Sequence, residues 1–329
     1  MSSNHTIAGS NLVNHEIAKE ITGEGAFNRQ KNRFITPFGN QPGELPAEDG
    51  RYRLLWAKIC PWAHRAVIVR ELLGLQEVIS LGTASPVRTE NGWAFTLDEG
   101  GVDPVLGIRY LPEIYAETDP GYSGRATVPT VVDVLERKVV NNDYFRLTNY
   151  FETAFKPFHK ADAPDLYPQH LQADIDDFNE LLFHEVNNGV YKAGFAQSQA
   201  AYEQAYDVLF ARLDQLEERL SAQRYLFGDT ITDSDVRLYV TLVRFDAAYY
   251  SVFRTNRNRI IDYPNLWNYA KDLYQTPGFG DTTDFDSIKR GYQLGNHANN
   301  PHQLLAKGPD LSIWNDPHDR SRFSKPDKQ

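Results

Sequence analysis

A single cysteine is the residue of this chain best suited to covalent chemistry. Cys60 is the one cysteine among 329 residues, and Pro61 follows it directly. Because proline is tolerated at the first helical position, the spacing predicts that Cys60 caps the N-terminus of a helix. The unpaired backbone N–H groups and the helix dipole favour a thiolate there. Since the thiolate is the nucleophilic form of cysteine, the sequence predicts a reactive residue.

The neighbours of Cys60 bear on the alternative, which is a buried structural cysteine. A residue at the mouth of a helix, flanked by Lys58, His64 and Arg65, is not expected to be sealed in an apolar core. Lys58 and Arg65 are expected either to help hold the thiolate or to lie at the surface. His64 is expected to make a polar contact in the first helical turn, with a general-base role as the lesser alternative.

The cysteine count also limits the chemistry. One cysteine excludes an intramolecular disulfide, and the nine histidines form no metal-binding frame with it, so no metal is expected. If Cys60 forms a mixed disulfide, an external thiol must clear it, because no second cysteine can do so.

Charge and hydrophobicity exclude two kinds of partner. The net charge is −10 and no block of Lys and Arg occurs, so no nucleic-acid partner is expected. No apolar run reaches the roughly 18 residues of a membrane span, and no signal-peptide pattern opens the chain. A cytoplasmic protein without a membrane partner is therefore expected.

The elements around Cys60 follow from the apolar pattern. A strand from Tyr52 to Ala57 precedes a helix that ends at Gly74, and residues 78–81 form a second, parallel strand. Segment 84–126 breaks the pattern and is expected to line the site. Residues 128–133 and 138–140 predict a hairpin, with a cis bond before Pro129 as one alternative. Residues 141–143 are expected to cap the next helix.

The rest of the chain divides by composition. Residues 1–50 are expected to be an extension laid over residues 51–156, and 157–295 an all-helical domain followed by a polar tail, 296–329. One amphipathic helix is expected through Leu209, Leu213 and Leu220. Another starts with a capping box of Thr232 and Asp235, and a third opens after Pro264.

This order of elements resembles the glutathione transferase architecture, and more narrowly the xi class, the glutathionyl-hydroquinone reductases. The Cys-Pro-Trp-Ala motif at Cys60 and the segment around Tyr191 are specific to that family. The matching stretches span nearly the whole chain: 60–65, 91–93, 122–129, 187–196, 240–246 and 316–318.

The resemblance implies a thioredoxin-like α/β N-terminal domain, an all-α C-terminal domain and a homodimer. It makes Cys60 the nucleophile and glutathione the co-substrate, with a small aromatic thioether as the partner molecule. Tyr191 and Tyr292 match tyrosines that contact the hydroquinone hydroxyls. Trp93 matches a tryptophan that packs on glutathione, and Arg125 an arginine that meets a carboxylate. Val128 matches the residue that pairs with the cysteinyl backbone.

One departure from the family pattern affects the γ-glutamyl end of glutathione. The family has Asn-Glu-Ser before the helix that follows the hairpin, whereas this chain has Asn142-Asp143-Tyr144. Asp143 can still receive an ammonium group, but Tyr144 replaces a small hydroxyl with a ring. The alternatives are therefore a different low-molecular-weight thiol as the co-substrate, or weak use of glutathione.

Three functions are compatible with these residues. The leading one is glutathione-dependent reduction of S-glutathionyl-hydroquinones through a Cys60 mixed disulfide. The second is a general thiol transferase that acts on small or protein mixed disulfides. The third is a non-catalytic binding protein that kept the fold.

Overall fold

The computed structural model describes residues 19–295 and 300–323, and an α/β unit comes first among them. Strand β1 (Tyr52–Ala57) leads into helix α1 (Pro61–Leu73), and β2 (Ile79–Ala84) returns beside β1. Helix α2 (Leu111–Thr118), strands β3 (Thr130–Asp133) and β4 (Lys138–Asn141) and helix α3 (Leu147–Thr153) complete the unit.

The four strands form one mixed sheet in the order β2-β1-β3-β4. Strands β1 and β2 are parallel, and the β1–β3 and β3–β4 pairs are antiparallel. Leu54 of β1 lies opposite Leu81 on one side and Val131 on the other. All six residues of β1 are buried, as expected for an apolar run in a central strand. The predicted strand–helix–strand unit of parallel type is confirmed.

Segment 84–126 contains an element that the sequence analysis missed. Helix α2 begins with Pro112 in its first turn and a capping box, in which Glu113 accepts from the backbone N–H of Tyr110 at 2.9 Å. Only Leu111, Ile114 and Tyr115 of this helix are buried. So short an apolar face gives little periodicity, and the sequence pattern of segment 84–126 therefore does not predict this helix.

The helix after the hairpin starts later than predicted. Asn141 still belongs to β4, and the Asp143 carboxylate accepts from the backbone N–H groups of Phe145 and Arg146 at 3.0 and 3.3 Å. Asp143 therefore stabilises a turn that precedes α3, and the first residue of the helix is Leu147.

The second part of the chain is an array of helices. Its first half holds α4 (Gln172–Leu182), a π-helical turn (Phe183–Asn187), α5 (Gly189–Phe195), α6 (Gln199–Ala222) and α7 (Asp233–Arg244). Its second half holds another π-helical turn (Phe245–Tyr249), α8 (Tyr250–Val252), α9 (Pro264–Tyr274) and α10 (Phe285–Leu294). Short 3₁₀ turns lie at Glu99–Gly101, Lys156–Phe158, Gln169–Leu171, Ile260–Asp262, Gly280–Thr282, Ser312–Asn315 and Arg320–Phe323.

The three helices predicted in this part are present. Leu209, Leu213 and Leu220 line the buried face of α6, and α9 opens at Pro264. The capping box of α7 is formed as predicted, with Asp235 accepting from the backbone N–H of Thr232 at 2.8 Å. A cap of this kind stabilises a helix by about 1 kcal/mol.

Helix α1 connects the two parts, because it packs against β1 and α3 of the first part and against α7 of the second. The described tail residues also pack on the helices: Trp314 lies 4.7 Å from the ring of Trp267, and buried Arg320 donates to the Leu220 carbonyl at 2.8 Å. The domain boundaries near residues 50, 156 and 295 stay predictions.

Two further findings concern only the described ranges. No helix there is both long and apolar enough to cross a membrane. No group of three or more His, Cys, Asp or Glu side chains in those ranges is arranged to hold a metal ion.

Candidate active site

Cys60 lies where the sequence predicts it, between the end of β1 and the start of α1. It is the N-cap residue of α1, with an extended backbone, and Pro61 is the first helical residue. Its thiol faces the start of β3: Sγ donates to the backbone carbonyl of Val128 at 3.3 Å, and the Val128–Pro129 peptide is cis. Cys60 and Val128 are therefore in direct contact.

The protonation state of Cys60 differs from the prediction. The residue is only 9% exposed, and burial raises the pKa of its thiol above the ordinary value. The backbone N–H groups of Ala63 and Trp62 and the charges of Arg244 and Arg29 act in the opposite direction. Burial outweighs them, because desolvation penalises the charged form. The raised pKa favours the thiol over the predicted thiolate, and the sulfur is buried, not open as expected at a helix mouth.

Arg244, at the end of α7, holds the backbone just before Cys60. Its guanidinium is fully buried and donates to the carbonyls of Ile59 and Lys58 at 2.8 and 2.9 Å. It also donates to the Val240 carbonyl in its own helix at 2.8 Å. The stretch 240–246 matches the family pattern, but nothing in local spacing links Arg244 to a loop so distant in the chain, so its role is not predictable from the sequence.

His64 is structural. Its Nδ1 lies 3.1 Å from Nη1 of Arg244, and an arginine can only donate, so Nδ1 is the acceptor. The proton therefore resides on Nε2, which lies 2.9 Å from the Thr282 hydroxyl. Burial and then the charge of Arg244 hold the pKa of His64 well below its ordinary value. A neutral imidazole with both nitrogens engaged is not the general base for Cys60.

The two cations beside Cys60 have different positions. Lys58 is partly exposed and forms an ion pair with Asp284 at 2.9 Å. Arg65 is buried, with its guanidinium 4.9 Å from the centre of the Trp62 ring, and none of its side-chain nitrogens has a hydrogen-bond partner among the described residues. Burial lowers the pKa of Arg65 to about 9. The expectation of a surface charge is wrong for Arg65.

Three tyrosines form a cluster of hydroxyl groups in the helical part. The hydroxyl of Tyr292 lies 2.5 Å from that of Tyr191 and 3.0 Å from that of Tyr249. Burial raises the pKa of all three above the ordinary value, so they are neutral at physiological pH and can donate a proton or a hydrogen bond. The structure thus brings together the two predicted tyrosines and adds Tyr249, which the sequence analysis missed.

Irregular helix geometry positions this tyrosine cluster. The first π-helical turn directly precedes α5, which carries Tyr191, and Tyr249 is the last residue of the second. Such turns contain one extra residue and re-aim the side chains that follow, often at functional sites. Gly291 lets α10 approach the Cys60 loop, because a side chain there would collide with Ile59 and the Pro86 carbonyl. The next residue is Tyr292.

Trp62 connects the cysteine helix to the tyrosine cluster. Its ring lies 5.9 Å from that of Tyr191 and 5.1 Å from that of Tyr144, which stacks on Phe183 at 6.0 Å. The charge of an ionised Cys60 would raise the pKa of Tyr191, so the two groups interact electrostatically. Cys60, Trp62 and the cluster therefore line one aromatic region.

The remaining predicted site residues have other neighbours. Arg125 forms a two-fold ion pair with Glu20, at 3.0 and 3.1 Å, and both side chains are largely buried. Trp93 is buried with the guanidinium of Arg88 5.5 Å from its ring. Asp143 accepts backbone N–H groups in the turn before α3.

We expect Arg244→Met to raise the pH at which Cys60 ionises, because the variant removes a nearby positive charge that lowers the pKa of the thiol and also frees the Cys60 loop. The free energy of unfolding should also fall by more than about 2 kcal/mol, since buried carbonyls lose their donors. The measurement is the rate of Cys60 alkylation against pH, read by mass spectrometry.

Arg219→Met is the matched control for Arg244→Met. Like Arg244, Arg219 donates to the protein backbone. Its Nε and Nη2 both donate to the Leu226 carbonyl, which lies within the helical part. The Arg219→Met variant should be less stable than the wild type, but its rate of Cys60 alkylation against pH should not change. Arg244→Lys keeps the charge without the planar fork and should give an intermediate profile. An unchanged profile in folded Arg244→Met and Arg244→Lys would contradict the role given to Arg244.

Comparison with known proteins identifies relatives along most of the chain. A family model described as "Glutathione S-transferase, C-terminal domain" matches residues 199–272. The glutathionyl-hydroquinone reductase YqjG of Escherichia coli (strain K12) is 41% identical, over 90% of this chain and 92% of that protein. The glutathionyl-hydroquinone reductase PcpF of Sphingobium chlorophenolicum is 38% identical, over 84% of this chain and 90% of that protein.

Solved structures show the same likeness. A glutathione transferase from Gordonia bronchialis is 52% identical, with a TM-score of 0.83 over 85% of this chain and 88% of that one. The glutathione-bound structure of YqjG is 39% identical, with a TM-score of 0.82 over 91% of this chain and 99% of that one.

Proposed function

This chain belongs to the glutathionyl-hydroquinone reductases of the glutathione transferase family, and from that premise we propose that it reduces S-glutathionyl-hydroquinones with glutathione as co-substrate. The observation that carries the proposal is the placement of the single cysteine and a cluster of neutral phenols around one aromatic region. A sulfur nucleophile and a proton donor are the two groups that the reaction needs.

In the first step, the Cys60 thiolate attacks the sulfur of the glutathionyl thioether. A disulfide bond forms between Cys60 and glutathione while the bond from sulfur to the ring carbon breaks. The electron pair of that bond passes to the ring, which takes up one proton and leaves as hydroquinone. We assign the proton to the hydroxyls of Tyr191 and Tyr292, which are neutral donors 2.5 Å apart.

In the second step, the thiolate of another glutathione attacks the glutathione sulfur of the mixed disulfide. Glutathione disulfide leaves and Cys60 returns to its reduced form. The ring is reduced by two electrons, and the two glutathione sulfurs are oxidised by two. This cycle uses a single protein thiol, and the chain has one cysteine to supply it.

Ligand binding offers a route from the resting thiol to the thiolate. The Val128 carbonyl now accepts from the Cys60 thiol. We propose that the backbone of the bound thiol pairs with Val128, as the family resemblance implies. A ligand amide on that carbonyl would displace the S–H donor, and the N–H groups of Trp62 and Ala63 would then favour the ionised sulfur.

The thiol is proposed to contact Trp93, Arg125, Val128, Asp143 and Tyr144. The ion pair between Arg125 and Glu20 supports the assignment of Arg125, because it shows that the Arg125 guanidinium is oriented to bind a carboxylate in a bidentate manner. A glutathione carboxylate at Arg125 must share it with Glu20 or displace Glu20. On the γ-glutamyl side, the ring of Tyr144 packs on Trp62, so the serine hydroxyl of the family has no counterpart there.

The family also motivates three wider proposals. The substrate is a small aromatic thioether, because a compact region lined by Trp62 and tyrosines suits a flat ring. The assembly is a homodimer. The compartment is the cytoplasm, because the second step consumes a reduced thiol.

Turnover of an S-glutathionyl-hydroquinone is the test of the proposal. The purified protein with glutathione should release hydroquinone and glutathione disulfide in equal amounts, both measured by chromatography. It should prefer this conjugate to a small mixed disulfide of glutathione. A clear preference for the mixed disulfide would instead support a general thiol transferase, and no turnover of either would support a binding protein. Replacing glutathione by cysteine or γ-glutamylcysteine tests the co-substrate.

A further inference from the structure

An arginine from outside the α/β unit reaches the aromatic region of the site. Arg29 belongs to residues 19–50, here named the N-terminal segment. Its guanidinium carbon lies 4.6 Å from the ring centre of Trp62 and 4.6 Å from that of Tyr191. Trp62 is two residues after Cys60, and Tyr191 is the proposed proton donor. The N-terminal segment therefore supplies a cation to the region between the nucleophile helix and the tyrosine cluster.

The Arg29 side chain is fixed in this position. Its Nε donates to the side-chain oxygen of Asn188 at 2.8 Å, and its guanidinium also lies 5.2 Å from the ring of Phe27. The neighbouring Gln30 accepts the backbone N–H of Arg125 at 3.0 Å, which ties the N-terminal segment to the loop before Val128. A cation held by a hydrogen bond and by ring faces is preorganised and loses little freedom when it meets a ligand.

One nitrogen of Arg29 has no hydrogen-bond partner within residues 19–295 and 300–323. Nη2 is buried and meets no acceptor among the described residues. An unpaired buried donor costs about 1–3 kcal/mol, and more when the group is charged, so an acceptor atom of a ligand that reaches Nη2 would recover that cost. The Arg29 charge also favours the ionised forms of Cys60, Tyr191 and Tyr144, so it acts on the groups that surround the reacting atoms.

We propose that Arg29 is a further catalytic residue, whose free Nη2 donates to an oxygen of the hydroquinone ring during cleavage. This inference rests on the proposed function. The ring first takes its keto form, in which a hydroxyl proton has moved to the carbon that bears the sulfur. When Cys60 attacks that sulfur, the electron pair of the carbon–sulfur bond passes through the ring to the carbonyl oxygen, and hydroquinone leaves as a phenolate that then takes up one proton. A fixed cationic donor stabilises that charge as it develops, and needs no further reactant.

The proposal separates substrates that carry a ring oxygen from those that do not. We expect Arg29→Met to lower kcat on an S-glutathionyl-hydroquinone by about 100-fold, the usual loss for one oxyanion donor. Turnover of a mixed disulfide of glutathione and mercaptoethanol, which has no ring, should change by less than about 5-fold. Arg29→Lys, which keeps a cationic donor, should recover part of the loss.

Two measurements control for other effects of Arg29. Alkylation of Cys60 against pH reports any change in the sulfur itself, and such a change would affect both substrates equally. Arg33→Met is the matched variant, because Arg33 lies in the same segment, is 65% exposed and pairs with Asp119 at 3.3 Å. It should leave both activities unchanged.

The outcomes distinguish this inference from the proposed function. Absence of wild-type turnover on the conjugate overturns both. Wild-type turnover combined with an equal loss on the two substrates, or with no loss on the conjugate, overturns only the role of Arg29. An equal loss would mean that Arg29 acts through the Cys60 sulfur, if the alkylation profile changes, or by holding the N-terminal segment in place, if it does not. A loss confined to the conjugate supports the proposal.

Discussion

Cys60→Ser is expected to lower turnover of an S-glutathionyl-hydroquinone by more than about 10³-fold, because a hydroxyl is a far weaker nucleophile than a thiolate and the chain has no other sulfur nucleophile of this kind. Serine is close to cysteine in volume, and its hydroxyl can still donate to the Val128 carbonyl. The variant should therefore keep the fold and the thiol-binding region. Steady-state kinetics and the melting temperature measure the two effects.

Mass spectrometry provides the control for Cys60→Ser. Wild-type protein treated with the conjugate, without free glutathione, should gain the mass of one glutathione on the peptide that contains Cys60. The serine variant should gain none. Turnover that survives in the folded serine variant would refute the mechanism, since it would place the reaction at another group.

Tyr191→Phe and Tyr292→Phe are each expected to lower kcat on the hydroquinone conjugate by about 10²-fold, the lower end of the range for a lost general acid. The two hydroxyls lie 2.5 Å apart, so removing either one breaks the proton path. Because burial raises the pKa of both phenols above the ordinary value, they stay protonated through the neutral range. No loss of rate from phenol ionisation is therefore expected below about pH 10.

The control substrate for the tyrosine variants is again the mixed disulfide, whose cleavage needs no proton at carbon. Its turnover should stay near that of the wild type. Tyr250→Phe is the control variant, because Tyr250 is half-buried and directly follows Tyr249 in the chain. Equal losses on the two substrates would show that the tyrosines support the structure of the site and do not donate the proton.

Local sequence was sufficient for the elements that carry the nucleophile. Strand β1 is buried on both faces and reads as an apolar run, and the proline after Cys60 marks the first residue of α1. The capping box of α7 is equally local, since Thr232 and Asp235 lie within one turn. Such signals need no knowledge of the fold. Helix α2 also has a proline in its first turn and a capping box, but its buried face consists of three residues, so its apolar periodicity is too short to predict a helix.

The features that the sequence did not reveal depend on contacts between distant segments. Arg244, Tyr249 and Arg29 reach the site from α7, the second π-helical turn and the N-terminal segment, and no spacing rule connects those segments to Cys60. The raised pKa of the Cys60 thiol depends on such distant contacts too. The N-terminus of a helix can be predicted from local sequence. The burial of Cys60 by distant segments, which raises the pKa of its thiol, cannot.

The hydrogen bond from the Cys60 thiol to Val128 has a consequence for damage by oxidants. Peroxide attacks a thiolate and scarcely attacks a thiol, and sulfenic acid on a lone cysteine has no neighbour with which to form a protective disulfide. A sulfur that stays protonated and covered between turnovers is spared that lesion. On the proposed mechanism, Cys60 is therefore open to peroxide chiefly while a ligand displaces its thiol from the Val128 carbonyl.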